Sequence, residues 1–218
     1  MGGTIDIRTG DYDAHLAHAL EWINSGYVIV VPLENGYAFV ADAFSHDAVR
    51  TIHVLRGDDL GVAAQVLISG VYVLDGIARG VSSQARTLMK AFWPGLLTFT
   101  LPPHRGLSWD LGDNRELNEI SVRVPNATFV LELLKKSGPL AVASAAPAGH
   151  SPILHANLIQ ARESDLAGIF DAGEIKSSPA TTIVSDIEIE ISVRREGFIT
   201  LAQLREYLPD IGLESSSN

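Results

Sequence analysis

Apolar positions recur along this chain in two rhythms, and their succession predicts the elements. Over residues 12–25, Tyr12, Leu16, Ala19, Leu20 and Ile23 fall on one helical face, with Gly26 placed to stop the helix. The run Tyr27-Val-Ile-Val-Val closed by Pro32 is β-branched and short, as a buried strand should be. A second helix starts at Ser45 as its cap and turns Ala48, Val49, Ile52 and Leu55 inward. Gln65-Val-Leu-Ile is a strand. A helix capped by Ser82 or Ser83 then buries Ala85, Leu88, Met89 and Phe92, and Pro94-Gly95 stops it.

Strands are predicted at 97–101 and 120–124, a helix capped by Asn126 through Lys135, a strand at 140–144 and a short helix over 155–162. Strands near 181–184 and 188–193 follow, then a helix capped by Thr200 with Leu201, Leu204 and Leu208 inward. Residues 209–218 read as a frayed tail, most plainly Glu214-Ser-Ser-Ser-Asn. The Gly-, Pro-, Asp- and Asn-rich stretch 102–119 reads as an exposed excursion rather than a lid.

Helices and strands alternate without a linker, a repeat or a compositional break. The expected fold is α/β (α+β): a single domain over residues 1–218, with one mixed, twisted sheet flanked by helices. A hydrophobic share of 46% in 218 residues suits such a core. No apolar run nears the ~20 residues of a membrane span. The first residues, Met1-Gly2-Gly3-Thr4-Ile5-Asp6, lack the basic and apolar regions of a signal peptide, so a cytoplasmic protein is expected. The absence of cysteine excludes disulfides, thiolate metal sites and cysteine nucleophiles. A formal net charge of -10 opposes non-specific nucleic-acid binding.

Several chemistries have no signature. There is no P-loop, no dinucleotide fingerprint and no H-E-x-x-H. His15 and His18 stand at i, i+3 without a third ligand, and His150 and His155 only flank a loop, so no resident metal site is expected. Ser144, in Ala-Ser-Ala-Ala-Pro-Ala-Gly, is not in a nucleophile elbow, and no catalytic nucleophile is assigned.

Three segments lie at the ends of predicted strands, where open sheets bind ligands. In Pro32-Leu33-Glu34-Asn35-Gly36-Tyr37-Ala38-Phe39, Glu34 and Asn35 serve equally as ligand contacts or as an ordinary Asn-Gly turn. The small-residue loop 144–149 serves equally as an anion cradle or a tight turn. In Val193-Arg194-Arg195-Glu196-Gly197, Arg195 is either a phosphate clamp or a surface residue at a strand end. Phe92-Trp93-Pro94-Gly95 reads as an aromatic core plug with a helix stop, with Trp93 buried.

In order and spacing, these strings resemble the YrdC family, the threonylcarbamoyl-adenylate synthases, over about residues 27–199. Phe92-Trp-Pro-Gly-Leu-Leu-Thr98 is similar to that family's F-W-P-G-x-L-T, and Ser121-Val-Arg-Val-Pro125 to its v-R-x-P. Asp171-Ala-Gly173 resembles D-x-G, Thr181-Thr-Ile-Val184 resembles S-T-v-v, and Arg195-Glu-Gly197 resembles R-x-G. The departures fall on the site. P-T-x-T-v-Y-G-L becomes Pro32 to Phe39 without either threonine, K-x-R becomes Arg56-Gly57-Asp58, and S-x-N becomes Ser144-Ala145-Ala146.

The resemblance implies joining ATP, threonine and bicarbonate into threonylcarbamoyl-AMP and pyrophosphate for tRNA modification, with Mg²⁺ accompanying the ATP. It implies that Arg56, Arg123, Ser144 and Arg195 grip phosphates while Glu34, Asn35 and Tyr37 face the second substrate. Asp58 and Ala146 imply reduced or altered activity, since a carboxylate repels phosphate where a guanidinium attracts it. Three arginines are nevertheless expected to outweigh one carboxylate. The alternative is a non-catalytic paralogue that binds a nucleotide or RNA, and the acidic balance counts against RNA.

Overall fold

The computed structural model describes residues 3–161, 165–187 and 190–214. Its strands are β1 (Thr4–Asp6), β2 (Ile29–Leu33), β3 (Gly36–Asp42), β4 (Gln65–Leu67), β5 (Leu97–Leu101), β6 (Ile120–Arg123), β7 (Leu140–Ser144), β8 (Gly168–Asp171), β9 (Thr182–Ser185), β10 (Ser192–Arg195) and β11 (Gly212–Leu213). The helices are α1 (Tyr12–Asn24), α2 (His46–Arg56), α3 (Leu74–Ile77), α4 (Ser83–Phe92), α5 (Thr128–Ser137) and α6 (Leu201–Arg205). All eleven strands join one sheet in the order β1-β8-β2-β3-β7-β4-β6-β5-β9-β10-β11. Parallel pairs such as β5–β9 and antiparallel pairs such as β3–β7 make it mixed, as expected.

The continuous apolar strands follow from burial on both faces, since successive side chains point oppositely. Val28, Val30, Phe39, Ala41 and Val66 pack on one side with α2 and α4. Ile29, Val31, Ala38, Val40 and Leu67 pack on the other with α1 and α5. The predicted serine caps form, Ser45 accepting from the Ala48 N–H and Ser82 from the Ala85 N–H. Thr200 closes a capping box with Gln203, in which each side chain satisfies a backbone group of the other's end of the first turn.

Other expectations are corrected. Asn126 does not cap α5, which begins at Thr128 without a side-chain cap; the Asn126 N–H is instead taken by Glu34. The helix expected over 155–162 is only a 3-10 turn at Ala156–Leu158, and Arg162 lies outside the described residues. The strand expected at 188–193 is β10, shifted toward the C-terminus, and Glu188 and Ile189 lie outside the described residues. The tail expected at 209–218 is ordered up to Glu214: β11 pairs with β10 and Ile211 is buried, while 215–218 lie outside the described residues.

The stretch 102–119 is no exposed excursion, because Trp109 and Leu111 enter the core. Leu107, Trp109 and Leu111 alternate as a strand's inward residues do, a signal masked by the surrounding Gly, Pro and Asp.

Trp93 is only partly buried. Its Nε1–H donates to the Leu97 carbonyl at 2.6 Å, and its ring meets Phe99 edge-on at 5.5 Å. Trp93→Ala is therefore expected to cost about 2 kcal/mol in urea unfolding, below the ~3–5 kcal/mol of a fully buried aromatic. A measured loss in that higher range would restore the core-plug reading.

Candidate functional site

The segment 32–39 is a hairpin rather than a loop. Pro32 pairs with Tyr37 and Leu33 with Gly36, which leaves Glu34-Asn35 as the two turn residues. This is the turn closed by Asn35-Gly36 that was one of the two readings of the segment. Glu34 does not line the central cavity. Its Oε1 accepts from Arg123 Nη1 at 2.8 Å and from the Asn126 N–H at 2.7 Å. Arg123, 3% exposed at the end of β6, also donates to the Gly95 carbonyl at 3.3 Å. Glu34, expected at a substrate, is thus the counter-charge that makes a buried arginine tolerable.

Arg56 ends α2. Its Nε donates to Asp58 at 3.0 Å, and its Nη1 to the carbonyls of Ser144 at 2.6 Å and Ala146 at 2.9 Å. The guanidinium therefore pins the 144–149 loop against the helix end. The Ser144 hydroxyl accepts from the Ala146 N–H at 3.3 Å, which gives that loop a tight turn. Asp58, expected only to repel anions, is bound on two sides, by Arg56 and by His53 Nδ1 at 2.9 Å.

Arg195 reaches the same place by a different device. The pairing of β10 with β9 shifts register between Val193 and Arg195, a bulge that re-aims the following side chain. Arg194 leaves toward Glu119 and Glu214, while Arg195 Nη2 donates to the Thr181 carbonyl at 2.9 Å and Oγ1 at 3.1 Å. Partial desolvation lowers the Arg195 pKa from its ordinary value. Gly197 has to be small here, since a Cβ would collide with the carbonyls of Ala180 and Thr181. That contact is the physical reason for the glycine of the Arg-Glu-Gly string.

Tyr37 is buried and committed. Its hydroxyl donates to Asp171 at 2.6 Å and accepts from the Ala172 N–H at 3.0 Å. Burial, then the bond to Asp171, raises its pKa well above that of a free phenol. The phenol ties β3 to the end of β8 in its neutral form, so Asp171-Ala-Gly173 serves the hairpin.

These segments enclose a cavity of about 390 Å³. Arg56, Arg123, Arg195, Ser144, Asn35 and Tyr37 all line it, joined by His53, Asp58 and Thr181, which the sequence reading had not assigned to a ligand. Three guanidiniums against the carboxylates of Asp58 and Glu34 leave one positive charge in excess, a smaller margin than Asp58 alone suggested. Among the described residues, Arg195 is the only lining arginine with no carboxylate partner. No cluster of three His, Asp or Glu suited to a metal ion occurs among the described residues. No helix among them is long and apolar enough to cross a membrane.

One mixed sheet sandwiched by helices, with an arginine-lined cavity beside the β2–β3 hairpin, defines a YrdC-like α/β domain. Sua5 of Pyrococcus abyssi complexed with L-threonine superposes with a TM-score of 0.84 at 23% identity, covering 98% of this chain and 62% of that one. YciO of Escherichia coli does so with a TM-score of 0.76 at 24% identity, covering 90% and 94%. Residues 21–197 match the Sua5/YciO/YrdC family model, described as telomere recombination, and the chain belongs to that family. A putative threonylcarbamoyl-AMP synthase of Mycobacterium tuberculosis is 30% identical over 203 residues, covering 93% of this chain and 91% of that protein. The threonylcarbamoyl-AMP synthase of Bacillus subtilis is 29% identical over 205 residues, and this chain spans 59% of its length.

Proposed function

We propose that this chain is an enzyme of the threonylcarbamoyl-AMP synthase type, joining ATP, threonine and bicarbonate with release of pyrophosphate and water, at a reduced rate. The observation that carries the reading is the convergence of Arg56, Arg123, Arg195 and Ser144, from four distant segments, on one cavity. A volume of about 390 Å³ falls within the range of small-molecule sites. The near-full-length similarity to the mycobacterial protein supports the same activity. The threonine bound by Pyrococcus Sua5 supports an amino-acid substrate, which Asn35 at the hairpin turn faces while Tyr37 holds the hairpin in place.

In this reading Arg195 takes the phosphate with the freest guanidinium, and Arg56 and Arg123 contribute their remaining N–H groups. A Mg²⁺ ion accompanying the ATP would be held chiefly by the substrate phosphates and water, and would supply further positive charge there. Bond breaking between the α- and β-phosphates needs those groups held in line, and positive charge where pyrophosphate leaves. The rate is low because Asp58 occupies Arg56 and Ala146 offers no side-chain amide.

The Arg56–Asp58 pair also favours a second reading, a paralogue that binds a nucleotide without turning it over. An RNA ligand has less support, since the net charge of -10 opposes it. Pyrophosphate release from ATP separates these. The expected result is slow release that requires both threonine and bicarbonate, and that rises in Asp58→Arg/Ala146→Asn. ATP binding by calorimetry without threonine-dependent release would establish the second reading, and absence of both would sink the two together.

A further inference from the structure

His53 lies in the last turn of α2, and both of its ring nitrogens face acceptors. Nδ1 is 2.9 Å from Asp58 Oδ2, and Nε2 is 2.8 Å from the Leu111 carbonyl. A carbonyl cannot donate, and an ionised carboxylate cannot either. With Asp58 ionised beside Arg56, both contacts are satisfied only by the imidazolium. The neutral ring carries one N–H and must aim a lone pair at one of the two oxygens. The Leu111 carbonyl also accepts from the Ala64 N–H at 2.7 Å, so the ring joins α2 to the 102–119 segment and to the 62–64 wall of the cavity. The ring packs directly against Gly112, where, at φ 102°, a Cβ would collide with it and with the Val62 carbonyl.

The charged groups around this ring are few. Arg56 and Asp58 face it from the helix end and the turn that follows. From the 102–119 segment, Asp110 is engaged by the Gly112 N–H and Arg115, and Asp113 by the Leu117 N–H. The 144–150 loop presents the Ser144 and Ala146 carbonyls to Arg56, and His150 turns its Nδ1 to the Ala148 carbonyl.

We propose that His53 is a positioning residue that sets, through Asp58, how much of the Arg56 charge an anion in the cavity meets, and so couples anion binding to pH. Doubly protonated, His53 shares Asp58 with Arg56 and adds a positive charge beside the cavity. Neutral, the ring adds no positive charge: with its proton on Nε2 it leaves the whole carboxylate to Arg56, and with its proton on Nδ1 it keeps Asp58 and turns a lone pair toward the Leu111 carbonyl. Anion affinity falls as pH rises through the loss of the ring proton. The inference rests on the cavity's being an anion site, while its root, the His53–Asp58–Arg56 linkage, does not.

Sulfate is the probe, because its own charge stays constant over the range in which histidines titrate, roughly pH 5 to 8. Calorimetry is expected to read a roughly tenfold loss of sulfate affinity across the titration of the His53 ring, followed by ring-nitrogen NMR. His53→Gln should lose that slope. His150→Gln, which removes the other histidine of the lining, should keep it. In the ligand-free protein the Arg56 Nε–H resonance should shift with the same midpoint as the His53 ring. An unchanged slope in His53→Gln, or an Arg56 signal indifferent to the His53 titration, overturns the proposal. If sulfate does not bind at all, the anion-site reading fails and the Arg56 resonance still decides the linkage. That wild-type titration also decides it should His53→Gln not fold.

Discussion

Glu34→Ala is expected to destabilise the protein by ~3–5 kcal/mol, the cost of stripping one partner from a buried ion pair. Glu34 Oε1 is the acceptor for both Arg123 Nη1 and the Asn126 N–H, and truncation leaves the buried guanidinium without its counter-charge while the exposed Asn126 N–H turns to water. The Arg123 side chain is 4% exposed and would keep only the longer bond to the Gly95 carbonyl. Urea unfolding with an unchanged m-value would read the loss as a shifted midpoint. Removing both charges in Glu34→Ala/Arg123→Met should recover much of it, because the larger part of the penalty is the lone buried charge. A loss below about 1 kcal/mol for the single variant would place the pair among solvent-screened surface bridges and remove its role in holding the hairpin turn against β6.

Arg195→Ala is expected to weaken pyrophosphate binding by roughly 10- to 100-fold, the worth of ~1.5–3 kcal/mol for hydrogen bonds to a charged group. The effect should exceed that of any other single arginine-to-alanine change on the cavity per unit of stability lost. Arg56 and Arg123 already spend charge on Asp58 and Glu34, whereas Arg195 bonds only neutral oxygens of Thr181. An uncompensated guanidinium at the cavity offers an incoming phosphate a bidentate, charge-assisted contact. Calorimetry on wild type and variant measures this, with salt raised in parallel, since the contact should weaken as ions screen it. Equal heats from both proteins would mean that Arg195 serves only to fasten β10 to Thr181.

The two predictions separate what the arginines do, and that division was only partly legible in the chain. Arg56, Arg123, Ser144 and Arg195 sit in strings that fixed spacing could pick out, and the structure gathers all four on one cavity. Their partners were not legible. Glu34 and Arg123 are 89 residues apart, and neither string indicates that the acid answers the base rather than a substrate. His53 sat unremarked in an amphipathic helix, though its place three residues before Arg56 and five before Asp58, at a helix end, was a signal. The R-x-G string singled out Arg195 over Arg194, but not the device that separates them: a one-residue register shift sends Arg194 to the surface glutamates and Arg195 to the cavity.

The sequence alone determined the parts governed by local periodicity and local caps: the α1, α2 and α4 faces, the serine and threonine caps, and the strands whose apolar runs are continuous because both sheet faces are covered. It also carried the family resemblance, because ordered short strings survive divergence of the segments between them. Tertiary structure decided what depends on non-local partners. It drew Leu107, Trp109 and Leu111 inward from a segment whose composition reads as loop, because burying two large side chains outweighs the ordering of a polar stretch. It paired β11 with β10 through one parallel ladder, and chose which charges neutralise one another. Charge pairing is set by distance in three dimensions, and a charge pattern along the chain does not contain that distance.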